Sequence, residues 1–114
     1  MAIYNKVNIK IGNELYGSYD VHYLKDHLLE YNDDSCNTKI EIKEDEIKLI
    51  RENEEFLLIM NNTKEEAVYK LKELNYELEI KINYFDKIIE DNNLIISYQL
   101  ETTDQPITLI LEGE

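Results

Sequence analysis

The sequence predicts an all-β fold, a closed or nearly closed antiparallel up-and-down β-barrel of about 8–10 strands. Apolar and polar residues alternate with period two along most of the chain, as in strands with one face in a core and one in water. Short polar turns separate successive runs, and such connections join antiparallel neighbours because parallel pairing needs a dozen or more linking residues. So many runs in 114 residues must close or stack, since open strand edges template aggregation. That length holds one continuous core, so residues 1–114 are expected to form a single barrel domain.

In the first run Ile3, Val7, Ile9 and Ile11 share one face and Tyr4, Lys6, Asn8 and Lys10 the other, and Gly12-Asn13 ends it. Residues 15–24 and 27–32 form the next pair, split by Lys25-Asp26 and followed by the turn Asn32-Asp33-Asp34. A clear hairpin comes next. Thr38, Ile40 and Ile42 alternate with Lys39 and Glu41, and beyond Glu44-Asp45 the pattern resumes with Ile47, Leu49 and Arg51. Residues 56–60 are apolar on both faces, which suits a strand covered on both sides or a dimer contact. Two more runs place Leu78, Ile80, Ile82 and Tyr84 on one face, then Leu94, Ile96, Tyr98 and Leu100. Ile107, Leu109 and Leu111 complete the set. With one Pro and three Gly, Asn and Asp must supply most tight turns, through left-handed backbone and local hydrogen bonds.

Residues 64–74 read two ways. Thr63-Lys64-Glu65-Glu66 matches a helix capping box, and Ala67, Leu71 and Leu74 have helical spacing. Ala67, Tyr69 and Leu71 also alternate as a strand would. The local pattern favours the helix.

The order of motifs resembles the YwiB-like family of bacterial proteins. Tyr31, Asp33, Thr38-Lys39-Ile40-Glu41-Ile42, Asp45 and Leu49-Ile50-Arg51 recur in family order, and Tyr69 and Ile95-Ile96-Ser97-Tyr98-Gln99-Leu100 match its late tyrosines. The resemblance runs nearly end to end. It implies a calycin-like, lipocalin-like barrel and makes residues 64–74 mostly strand, which is the expectation adopted because tertiary context overrides local propensity. It implies no activity. Where the family tends to place glycine, this chain has Asn53 and Asn75, the next best residue for a positive φ.

Composition narrows the function. Twenty-five acidic residues face 12 Lys and Arg, a net charge of −13, which phosphate-bearing nucleic acids and anionic membranes repel. The single cysteine, Cys36, excludes an internal disulfide and a thiolate cage, and its expected place is the core, as a small apolar residue. No apolar run is long enough for a leader or a membrane span, so the expected compartment is the cytoplasm.

Chemistry-bearing constellations are sparse. Ser18, Ser35, Ser97 and Cys36 have only His22 and His27 as possible bases, and no nucleophile elbow or glycine-rich phosphate loop is present. A two-residue turn at Lys25-Asp26 would put His22, His27 and Asp20 on one hairpin face, but such a face is ordinarily polar surface. No catalytic residue, cofactor or metal is therefore expected, and the protein is read as non-enzymatic. Arg51, the only arginine, is in phase with apolar Ile47 and Leu49. It either clamps a ligand carboxylate with Tyr31, Tyr69 and Tyr98 nearby, or pairs with a rim carboxylate while those tyrosines fill the core. The expected partner is a small amphipathic ligand, with a packed barrel acting in protein contacts or as a homodimer as the alternative.

Overall fold

The computed structural model describes residues 3–113. Eleven strands follow one another: β1 (Tyr4–Ile11), β2 (Glu14–Asp20), β3 (His22–Lys25), β4 (Leu28–Asn32), β5 (Asn37–Ile42), β6 (Ile47–Glu52), β7 (Phe56–Asn61), β8 (Glu66–Leu71), β9 (Tyr76–Glu90), β10 (Asn93–Leu100) and β11 (Ile107–Gly113). All pairings are antiparallel, and the described residues contain no helix. The strand order is β2-β1-β11-β10-β9-β8-β7-β6-β5-β4-β3, a meander into which the β1–β2 hairpin is added beside β11.

Two segments bend this sheet into a nearly closed barrel. Residues 14–25 kink at Val21, so that β2 pairs with β1 while β3 pairs with β4. In β9 the first half pairs with β8 and the second with β10, and the handover falls where Ile82 N donates to Glu65 O and Lys81 O accepts from Glu101 N. One seam, between β2 and β4, has no backbone ladder. Side chains cross it instead, with the Tyr19 and Tyr31 rings stacked at 6.2 Å. Nearby, the Tyr23 hydroxyl accepts from Tyr4 N at 3.0 Å.

The inward faces form one core, with Val7, Ile40, Ile47, Leu49, Ala67, Ile96 and Leu111 fully buried. The alternation predicted these positions in β5, β6, β10 and β11. Residues 64–74 carry strand β8, as the resemblance implied, in place of the helix that the capping box favoured locally, because Ala67 and Tyr69 pair across to β9 and face the core. Three other local expectations are corrected. The run 15–24 is two strands, which with β8 brings the count to eleven. A bulge at Asn5 turns Tyr4 onto the core and leaves Ile3 exposed, and another at Asn83 brings Phe85 inward in place of Tyr84. The β3–β4 turn is Asp26-His27, with Lys25 opposite Leu28 and Leu24 bulged, so His27 does not face Leu24.

Turns are made as expected by Asn and Asp, in two different ways. Asn75 and Asp91 take left-handed backbone, at φ 48° and 57°. Asp33, Asn53 and Asn61 instead accept backbone N–H groups two or three residues on through Oδ1. Asn53 is thus no positive-φ position: its side chain accepts from Glu55 N and Phe56 N and donates to Ser35 O at 3.1 Å. Asn53→Gly is therefore expected to cost about 1–2 kcal/mol, whereas Asn75→Gly stays within about 0.5 kcal/mol of the parent. Urea unfolding midpoints of the two variants check the contrast, and equal losses would contradict it.

Candidate functional site

Cross-strand register builds one inward row, Tyr31–Thr38–Arg51–Leu58–Tyr69–Leu78, running from β4 to β9. Arg51 stands in its middle, near the barrel end where the 33–36 and 53–56 turns are tied by the Asn53–Ser35 bond. Its Nε donates to Thr38 Oγ1 at 3.4 Å, and Nη2 donates to Asp33 Oδ2 at 3.3 Å and Cys36 Sγ at 2.8 Å. None of these bonds uses Nη1. Thr38 is fully buried, Cys36 nearly so, and the Asp33 side chain is 2% exposed against 23% for Arg51. The guanidinium is therefore the charged group of the pair that solvent reaches.

Across the barrel, Tyr98 of β10 faces the same guanidinium, its ring stacked on Phe85 at 5.9 Å. Burial works against the charge on Arg51, but Tyr98, Cys36, Tyr31 and Asp33 around it prevail and raise its pKa. It remains cationic throughout the physiological range. Burial pushes the Tyr31 hydroxyl far up, opposed by its bond to Thr38 and by Arg51, and burial likewise raises Tyr98. Both stay neutral, as donors and acceptors. Burial opposes ionisation of Asp33 too, yet the N–H groups of Cys36 and Ser35, the Ser35 hydroxyl and Arg51 hold its pKa below the usual carboxylate value.

Tyr31, Asp33, Ser35 and Arg51 form one wall of a cavity of about 180 Å³. The facing wall is Tyr98 of β10 with its cross-strand neighbour Ile107 and Leu109 of β11, Ile9 and Ile11 of β1, and Tyr16, all apolar but for the tyrosine hydroxyls. Tyr16 reaches it because it is the extra residue of a β2 bulge opposite Ile9 and Lys10. Half of Tyr16 is exposed, so it stands at the mouth beside the open seam.

Arg51, Tyr31 and Tyr98 thus come together as the sequence placed them. Tyr69 does not line the cavity: Leu58 separates it from Arg51, and its ring stacks on Phe56 at 5.6 Å. Sequence reasoning missed Asp33, Thr38, Cys36 and the apolar wall. The hairpin pairing of Ile42 with Ile47 already puts Thr38 opposite Arg51, a signal available in the sequence. The wall was hidden because β1 and β11 meet only through long-range pairing. His27 lies in a turn and His22 opposite Glu30, and the described residues hold no cluster of three or more His, Cys, Asp or Glu able to bind a metal. Among the same residues no buried side-chain nitrogen or oxygen lacks a hydrogen-bond partner.

Fold and site together define a small antiparallel β-barrel with a cationic, tyrosine-lined cavity at one end. No protein-family model, curated protein or solved structure matches the chain.

Asp33 organises both the turn and Arg51, and its depressed pKa fixes the sign of a pH effect. Its stabilisation is complete above the unfolded-state value near pH 4 and is lost as pH falls through the lower folded value. Asp33→Asn should cost about 1.5–3 kcal/mol at pH 7, with the gap to the parent narrowing below about pH 4. Urea unfolding at pH 7, 4 and 3 measures this, and a gap that widens on acidification would refute it.

Proposed function

We propose that this protein is a non-enzymatic, calycin-like binding barrel of the cytoplasm, akin to the YwiB-like family, that takes the acid group of a small amphipathic ligand at Arg51. The observation that carries the reading is the mixed lining of one cavity: a partly exposed guanidinium and the neutral hydroxyls of Tyr31 and Tyr98 share it with four aliphatic side chains of β1 and β11. A carboxylate needs a cation and hydrogen-bond donors, and a short apolar tail needs the aliphatic wall.

Size and competition shape the ligand. About 180 Å³ equals roughly six waters at ~30 Å³ each, less than a drug-sized pocket, so the cavity suits a short acid or the head of a longer one whose tail leaves past Tyr16. Asp33 engages Nη2 through Oδ2 at 3.3 Å, while its Oδ1 accepts three bonds from the 33–36 turn. The ligand approaches the edge of Arg51 left to the cavity and leaves the internal ion pair in place.

Native mass spectrometry of gently purified protein should reveal a small acidic adduct, and hexanoate should shift the NMR signals of Arg51, Tyr31 and Tyr98. Arg51→Ala should weaken hexanoate by about 10- to 100-fold. Arg51→Lys, which retains the charge without the planar fork, should give a smaller loss and guards against misreading an unfolded alanine variant. Absence of any adduct, together with no hexanoate-dependent shift at these residues, would sink the reading.

A further inference from the structure

We propose that the outer face of β5–β9 is a homodimer interface, in which two copies pack face to face about a two-fold axis running along β7. The carrying observation is a charge pattern that mirrors itself across that strand.

Cross-strand register orders the outward side chains into three rows. The central row is Lys39, Ile50, Ile59, Val68 and Glu79. One flanking row is Asn37, Glu52, Leu57, Lys70 and Glu77. The other pairs Glu41 with Lys48 and Lys48 with Asn61 on one side, and Glu66 with Lys81 on the other. In each row the residue from β7 stands in the middle, with β5 and β6 on one side and β8 and β9 on the other.

A two-fold axis lying in the interface along β7 sets every β6 residue over the β8 residue of the same row in the second copy, and every β5 residue over β9. Lys48 then meets Glu66 and Glu52 meets Lys70, each contact occurring twice; on the flanks, where the barrel curves away, Lys39 stands towards Glu79 and Glu41 towards Lys81 at longer range. Ile50 meets Val68, while Leu57 and Ile59 meet their own copies. An isologous contact requires such self-complementarity.

Three further observations fit this occupant. Four of the chain's 12 cationic residues stand on this face, which is locally near neutral on a molecule of net charge −13. Leu57, Ile59, Ile50 and Val68 form a contiguous half-buried apolar stripe, the outer half of the doubly apolar β7. Beside it runs a groove of about 650 Å³ that Lys48, Ile59, Val68, Glu66 and Glu79 help to line. Glu66 and Glu79 are also like-charged neighbours, and hydrogen bonding and repulsion between them raise the pKa of Glu66. Glu66 gains Lys48 of the second copy.

Because the barrel surface is convex, the close contact is centred on β6–β8: three strands at ~4.8 Å spacing and three rows at ~6.8 Å make roughly 300 Å² per copy, to which β5 and β9 add only through their long side chains. That is smaller than a stable specific interface, so the dimer should be weak and dissociate reversibly at high micromolar concentration.

Sedimentation velocity across concentration, at about 0.15 M ionic strength, tests the proposal; there the ~8 Å Debye length screens net repulsion more than contact pairs. The parent chain should show a monomer–dimer equilibrium. Lys48→Glu alone and Glu66→Lys alone should each weaken dimerisation at least tenfold, because each places like charges at both symmetric contacts. An equimolar mixture of the two variants should regain a dimer, since opposite charges then meet at both contacts, and this recovery also establishes that both variants are folded. A parent chain that stays monomeric up to about 1 mM leaves the face to solvent or a different partner and overturns the proposal. A dimer indifferent to both substitutions, or a mixture that stays monomeric, overturns the face and register.

Discussion

Closure of the sheet depends on two segments that each serve two neighbours. Eleven strands leave two edges wherever the sheet begins and ends, and an edge exposes unpaired N–H and C=O groups. Here the two edges are β2 and β3, consecutive in the chain and joined at Val21, so the start of the sheet is covalently tied to its end. On the other side β9 passes from β8 to β10 without interruption. The kink at Val21 and the bulge at Asn83 let the sheet turn these corners. Lys87, beyond the end of β8, donates to Glu44 O at 2.9 Å and ties the half of β9 that pairs with β10 to the β5–β6 turn.

The cavity follows from this arrangement. A barrel of fully paired strands and well-packed side chains has little interior space, but the β2–β4 seam is held by a ring stack in place of a ladder. Tyr31 belongs to both the stack and the cavity wall, so the seam without a ladder borders the cationic site. Arg51 can sit there because the Asp33 carboxylate, itself fixed by a turn, balances a guanidinium that burial alone would disfavour.

Much of the fold was legible because alternation is imposed by burial and needs no knowledge of the partner strand. Ile40, Leu49, Ile96 and Leu109 stand where the pattern puts them. The errors cluster at Asn5, Leu24 and Asn83, where an extra residue opposite a partner inverts the faces. Bulges are properties of a pair of strands, so one strand's composition does not announce them. The same reasoning applies to the site. Arg51 was conspicuous as a lone cation in phase with a core, whereas Asp33 and Cys36 read as turn and filler until the fold brought them to it. Over residues 66–71 the helical signal was genuine locally and lost to the pairing of Ala67 and Tyr69 with β9.

The pairing of β1 with β11 has a temporal side. Val7 faces Leu111 and Ile9 faces Leu109, and Asn8 Nδ2 donates to Glu112 Oε1 across 104 positions of sequence. Strands β4 to β10 each find a neighbour in the strand just before them, so a chain emerging from the ribosome can build that arc as it lengthens. The β1–β2 hairpin must wait for β11 to appear. Until then its buried face, Val7 and Ile9, has no permanent cover, and the apolar wall opposite Arg51 does not exist. The cavity is completed only when β11 reaches β1.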